Sequence, residues 1–324
     1  MKAHLGWPLL LAGVLFCAQV GLASCSGESG TLGLDEPVRV RGGAFKTGPL
    51  PGTAPGLGQA RPEVTAYESA STVVRPGQSG KVLSGRTTPE AVAVAIAFGD
   101  LGGGHWVLPV GGADPLNAGE LGWQAECDFG PKVPAGIHPL RVVAIDAEGR
   151  AGSQRDLSVC VTGPVADNLN ACDPARNPPA ATISLSWDVG ADLDLVVVSP
   201  SGRVIDAKHP RTIADAGAAS DGGVSVGTVD RDSNASCRQD ALARESLVFP
   251  RPPPAGSYFV YANLFDVCGK GPVHFRASLF EAQLREDGRS QVLVETLVKT
   301  GIALPTEANG GSRFGTFVFE IPFP

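Results

Sequence analysis

Residues 91–98 read AVAVAIAF, and the choice between helix and strand here decides the fold. Ala favours a helix, but Val92, Val94, Ile96 and Phe98 alternate with small Ala residues, a period of two and not 3.6. The stretch is therefore read as a strand. Outward from it, short apolar runs recur at 81–83, 106–110, 121–125, 140–145 and 157–161, with Gly-Gly, Asp-Pro and Glu-Gly between them. Strands at such intervals, broken by turn residues, predict a β-sandwich over 63–162.

The same pattern resumes after a polar, Pro-containing stretch, GPVADNLNACDPARNPPA, at 163–180. That stretch is read as a linker between two cores. Beyond it, expected strands fall at 182–187, 194–198, 224–229, 246–249, 258–263, 273–280, 291–298 and 315–321, with one helical turn at most, near 240–246. With Gly at 42 and Pro at 27 residues of 324, the chain is too turn-rich for a helical protein. The expectation is an all-β protein of two tandem β-sandwich domains after a disordered tether. Trp106 and Trp123 are read as packing aromatics and not as sugar-stacking platforms.

The N-terminus carries Lys2, an apolar run from Trp7 to Val20, and Leu22-Ala23-Ser24-Cys25. The run is too short to span a bilayer and reads as an export signal. Leu-Ala-Ser-Cys resembles the lipobox of bacterial lipoproteins. That resemblance implies a signal peptide over 1–24, lipidation of Cys25, and a membrane-held protein of the bacterial cell envelope. Ser26, in place of Asp, leans toward the outer membrane, with its periplasmic or surface face open. Residues 25–62 are rich in Gly, Ser and Pro and are read as the tether.

Five cysteines remain beyond the signal and Cys25, an odd number in an oxidising compartment. Pairing within each domain gives Cys127 with Cys160 and Cys237 with Cys268, leaving Cys172 in the linker unpaired. Cys160 with Cys172 is the alternative, since spacing does not fix connectivity.

PAGIHPLRVVAIDAEGRAGS at 134–153 resembles the last strands of bacterial immunoglobulin-like domains. ISLSWDVGADLDLVVVSPSGRVI at 183–205, the Asp-x-Asp loop at 230–232 and PAGSY at 254–258 resemble the YfaP-like bacterial domains of unknown function. More distantly they resemble the pre-peptidase C-terminal domains of secreted proteases. These resemblances imply an exported protein whose first sandwich is immunoglobulin-like and whose second is jelly-roll-like, and they supply no enzyme.

Alternation along Asp192-Leu193-Asp194-Leu195 places both carboxylates on one strand face and both leucines on the other. Asp230, Asp232 and Asn234 repeat at every second residue, and Glu245 follows. Converging oxygens of this kind suit calcium, which accepts 6 to 8 of them in flexible geometry. Asp192, Asp194, Asp230, Asp232, Asn234 and Glu245 are therefore a candidate Ca2+ site. Stabilisation of turns by the same side chains is the competing reading, and a catalytic carboxylate pair a third. An EF-hand is excluded, because Ala235 replaces the required Gly and Ala241 the bidentate Glu.

No nucleophile elbow, zincin helix or phosphate loop is present, and the histidines stand apart without motifs. A net charge of −7 with scattered Lys and Arg argues against nucleic acid. The expected function is a non-enzymatic binding or structural module, with loops at 206–222 and 230–245 offered to an envelope protein or polysaccharide. The alternative is a hydrolase or protease-associated factor using Asp192, Asp194, Asp230 and Asp232.

Overall fold

The computed structural model describes residues 33–53, 61–212 and 226–324. The export signal, Cys25 and most of the 206–222 loop lie outside the described residues. Among those described, helical structure is confined to 3-10 turns at Ala235–Cys237 and Pro305–Glu307, and everything else regular is strand. The expected turn near 240–246 is replaced, because residues 244–249 already form a strand.

The first unit contains β1 (Val38–Val40), β2 (Ala44–Thr47), β3 (Val64–Ser69), β4 (Val73–Val74), β5 (Lys81–Thr87), β6 (Ala93–Phe98), β7 (Gly104–Pro109), β8 (Leu121–Phe129), β9 (Gly136–Ile145) and β10 (Arg155–Val161). One sheet runs β1-β8-β5-β3 and the other β2-β7-β6-β9-β10-β4. β4 pairs parallel to β10, while the remaining pairs in these sheets are antiparallel. From β3 onward this is the strand order of an immunoglobulin sandwich.

The deciding stretch behaves as its alternation requires. Val94, Ile96 and Phe98 enter the inter-sheet core, whereas Ala95 joins Val143 and Ala151 on the opposite face. Val92 precedes β6 and is exposed.

The outer face of β6 is thus apolar too and needs a cover. Leu50 supplies part of it, packing against Ala95, Val143 and Ala151. This corrects the reading of 25–62 as a disordered tether: residues 33–53 belong to the first sandwich. Val38 and Val40 enter its core opposite β8, and Phe45 packs on Trp106 at a ring-centroid distance of 5.3 Å. The Trp106 indole donates to the Val38 carbonyl at 2.7 Å, so β1 satisfies a buried donor as well as filling space. Trp106 and Trp123 are both buried, as expected of packing aromatics.

The second unit contains β11 (Ala181–Trp187), β12 (Asp192–Val198), β13 (Val204–Ile205), β14 (Thr228–Val229), β15 (Arg244–Phe249), β16 (Gly256–Asp266), β17 (Val273–Leu284), β18 (Gln291–Ala303) and β19 (Thr316–Phe323). Its sheets run β14-β15-β11-β17-β18 and β13-β12-β16-β19. Leu193 and Leu195 of β12 meet Ile183, Leu185 and Leu247 of the facing sheet in a fully buried core.

Two disulfides are present among the described residues, Cys160–Cys172 and Cys237–Cys268. The first corrects the expected Cys127–Cys160 pair. On β10, Val159 and Val161 point into the core, which turns Cys160 to the outer face where the linker returns. Cys127 lies on β8 inside that core, buried and unpaired, so the two thiols face different spaces. The linker is also tied to the second unit. Asn170 donates to the carbonyls of Arg176 and Gln291, at 2.7 and 2.9 Å, and accepts from Arg285.

Candidate functional site

β12 begins with Asp192, and strand alternation sets Asp194 on the same face because Leu193 and Leu195 are held by the core. Asp232 arrives from the segment after β14. Ligand oxygens of Asp192, Asp194 and Asp232 lie within 4.8 Å of one another. They line a cavity of about 290 Å³ whose walls include Asp206, Lys208, Asn263 and Phe265.

The three carboxylates differ in setting. Asp192 is buried, and its Oδ2 accepts from the Ser236 backbone N–H at 2.8 Å. Asp194 is partly buried, and Asp232 is exposed. Burial, followed by the charges of Asp192 and Asp232, raises Asp194 from its ordinary value to about 7. Burial likewise raises Asp192 and Asp232, while the Lys208 ammonium pulls Asp232 the other way. Lys208 sits 5.1 Å from the Phe265 ring centroid, a cation–π contact on the cavity wall. Close carboxylates with raised proton affinity form a place where a cation replaces protons.

The other three sequence candidates are elsewhere. Asp230 accepts from the Ser246 N–H at 2.8 Å and pairs with Arg231 at 3.1 Å. Asn234 donates to the Ala191 carbonyl and accepts from the Asp240 N–H, so its amide is committed to the turn. Glu245 is completely buried, with Oε2 accepting from Leu195 N–H at 2.8 Å and Oε1 from Ser233 N–H at 3.0 Å. The metal assignment is corrected for these three, whose oxygens are held by the hydrogen bonds and the ion pair just named and do not line the cavity. The reason is that the chain leaves β14 at Val229, so the every-second-residue repeat from Asp230 onward is not a strand face. For Asp230 and Asn234 the turn-stabilising reading applies. The hydrolase alternative correspondingly retains Asp192, Asp194 and Asp232 without Asp230.

The loop is held in an unusual conformation. Asn234, Ser236 and Cys237 all have positive φ, at 61, 52 and 64°. Cys237 is bonded to Cys268, which pins this turn to the β16–β17 loop. The Cys237, Asp266 and Cys268 side chains also lie close together, but both sulfurs are consumed in the disulfide.

Sequence reasoning missed Asp206, Lys208, Asn263 and the aromatic border. Asn263 is directly opposite Asp194 in the β12–β16 register, a signal that only strand pairing reveals. Phe314 lines the cavity and packs on Tyr261 at 5.5 Å between centroids, with Phe317 on the same ring at 5.6 Å. Phe314 and Phe317 are about half exposed, at 46% and 53%. Among the described residues the histidines form no common centre: His138 meets Asp100, His209 meets Asp206, and His274 meets Asp188.

These features define an all-β, two-sandwich protein with a carboxylate-lined, aromatic-edged cavity at the surface of its second unit. No known protein family matches the chain, and no curated protein does. Among solved structures it is similar to BcpA, the major pilin subunit of Bacillus cereus, at 10% identity, covering 77% of this chain and 68% of that one. The TM-score is 0.19, too low for that likeness to bear on fold or function.

Proposed function

We propose that this protein is a lipid-anchored, non-enzymatic binding module of the bacterial cell envelope, whose second sandwich holds calcium at Asp192, Asp194 and Asp232 and recognises its partner beside that ion. The convergence of three carboxylates within 4.8 Å carries the reading. Two of their side chains come from one strand and the third from a disulfide-pinned turn, an arrangement that fixes oxygens in advance of binding. Water completes the calcium shell, since three carboxylates supply fewer than the 6 to 8 oxygens calcium takes. The half-exposed rings of Phe314 and Phe317 give the partner an apolar face next to the ion, which suits the polysaccharide among the expected partners.

The test is a titration of the full chain with calcium and with magnesium, following the melting temperature of the protein and of an Asp192→Asn/Asp232→Asn variant. A calcium-selective rise that the variant lacks is expected. No shift at millimolar calcium in the unaltered protein would overturn the metal assignment. The anchor is tested separately by palmitate labelling, which Cys25→Ala is expected to abolish.

A further inference from the structure

A second cavity, of about 570 Å³, lies between the turn after β4, the β8–β9 turn, the end of β10 and the residues leading into β15. Arg75, Lys132 and Arg244 line it, and no Asp or Glu does. In a chain where Asp and Glu outnumber Lys and Arg by 33 to 26, a wall of one sign needs a reason. Cations gathered without partners cost free energy, and the cost is recovered when an anion binds.

The partners that would neutralise these groups are occupied. Arg244 has a Nε sealed from solvent with no acceptor, and no salt bridge is formed by its guanidinium among the described residues. Burial, then the neighbouring charges of Arg231 and Arg75, hold it below the ordinary arginine value, against the opposing pull of Asp230 and Asp240. Asp230 is committed to the Ser246 N–H and to Arg231. Both oxygens of Asp240 accept from the Ser233 hydroxyl, and one also accepts from the Leu242 N–H. Arg75 meets Arg244 as a like charge from the other sandwich, and Lys132 adds a third cation from the β8–β9 turn. Thr162 and Gln78 also line the cavity, and the Gln78 Oε1 accepts from the Arg75 backbone N–H at 3.0 Å.

We propose that this cleft between the sandwiches is an oxyanion site, taking a carboxylate or phosphate group on a small polar ligand through Arg75 and Arg244, with Lys132 at its edge. Planar guanidinium forks match both oxyanions, and two of them facing one space fit a single group better than separate surface contacts. The volume is in the range of small-molecule sites and accommodates a ligand of about sugar size.

Isothermal titration of the full chain with inorganic phosphate, with glucuronate and with neutral glucose tests this. Binding of phosphate or glucuronate, and not glucose, is expected, weakening with added salt; which of the two binds more tightly identifies the oxyanion. Arg75→Gln and Arg244→Gln are each expected to weaken it by about tenfold or more, as loss of a charged hydrogen bond does. Arg276→Gln, whose arginine pairs with Glu295 on the β17–β18 sheet, is expected to leave it unchanged. Arg75 is on a turn, so Arg75→Gln keeps the test valid if Arg244→Gln fails to fold. Absence of binding by both anions at millimolar concentration, or equal binding by the Arg75→Gln protein, overturns the proposal.

Discussion

Glu245 is the clearest place to test the energetics of the second sandwich. It is a fully buried acid, and its two oxygens serve two different backbone donors, Leu195 N–H on β12 and Ser233 N–H in the loop. Glu245→Ala leaves both donors buried without an acceptor. At about 1–3 kcal/mol per orphaned group, the expected loss is about 2–6 kcal/mol. That is a large part of the roughly 5–15 kcal/mol available to a domain. Glu245→Gln keeps one carbonyl oxygen and presents an amide to the other donor, so its expected cost is about half, roughly 1–3 kcal/mol.

The pH dependence separates the hydrogen bonds from the charge. Burial raises the Glu245 carboxyl to about 9, with the two N–H donors acting in the opposite direction. A carboxyl with a raised folded-state value contributes stability that is full below its unfolded value and is lost as pH rises through the folded one. The unaltered protein is therefore expected to lose stability from about pH 5 toward pH 9 relative to Glu245→Gln, which has nothing to ionise at this position. Urea unfolding without added metal, across that range, gives both quantities. An Ala variant within about 0.5 kcal/mol of the parent, roughly the scatter of a neutral surface change, refutes the role of Glu245 as acceptor for two buried donors. A Gln variant as damaged as Ala refutes the account in which the two acceptors act separately.

Cys127 is buried, and burial pushes its thiol up to about 12; a thiol reagent is expected to leave it untouched in the folded protein and to modify it in urea. Removing Cys160–Cys172 with a Cys172→Ser change opens a short loop and costs about 2–3 kcal/mol in the chain-entropy description, visible as faster proteolysis within 163–180. Deleting residues 33–47 takes Val38 and Val40 from the first core, about 3–6 kcal/mol of apolar burial, and exposes Trp106. A red-shifted indole emission checks that outcome.

Strand positions were legible where a strand long enough to show its period had one face on a core. AVAVAIAF and Asp192-Leu193-Asp194-Leu195 both carry their geometry in the alternation itself, and Leu193 and Leu195 are buried as that alternation demands. The first strands were not legible, because β1 and β2 are too short to show a period; their place depends on β8 and β7, about ninety and about sixty residues away. The Cys160–Cys172 pair, open in the sequence as the alternative, is decided by the face Cys160 occupies on β10 and not by domain membership. At the candidate site, Asp192 and Asp194 were legible together because one strand holds both. Asp232 was found in company with Asp230 and Asn234, and the structure divides them: once the chain leaves β14, side-chain direction is set by turn hydrogen bonds and not by pleat.

That turn links the two charged cavities. Asp232 lies at the acidic one and Arg244 at the basic one, and the segment between them is tied at closely spaced points. Ser233 donates its N–H to Glu245 and its hydroxyl to Asp240, and its hydroxyl oxygen receives the Arg244 N–H. Asn234 spans from Ala191 to the Asp240 N–H, Ser236 N–H reaches Asp192, and Cys237 closes the segment onto Cys268. The residues that aim the carboxylates are thus the residues that seat the guanidinium, with Ser233 bonded toward both. A shift of this segment alters both cavities together, and a ligand that fixes the segment at one end lowers the ordering cost at the other. Because coupling between binding sites is reciprocal, an effect of calcium on anion affinity requires an equal effect of the anion on calcium affinity. Glu245→Ala, which removes the acceptor from Ser233 while touching neither cavity, is expected to weaken both; loss at one site alone would place the mechanical division of the segment at Ser233.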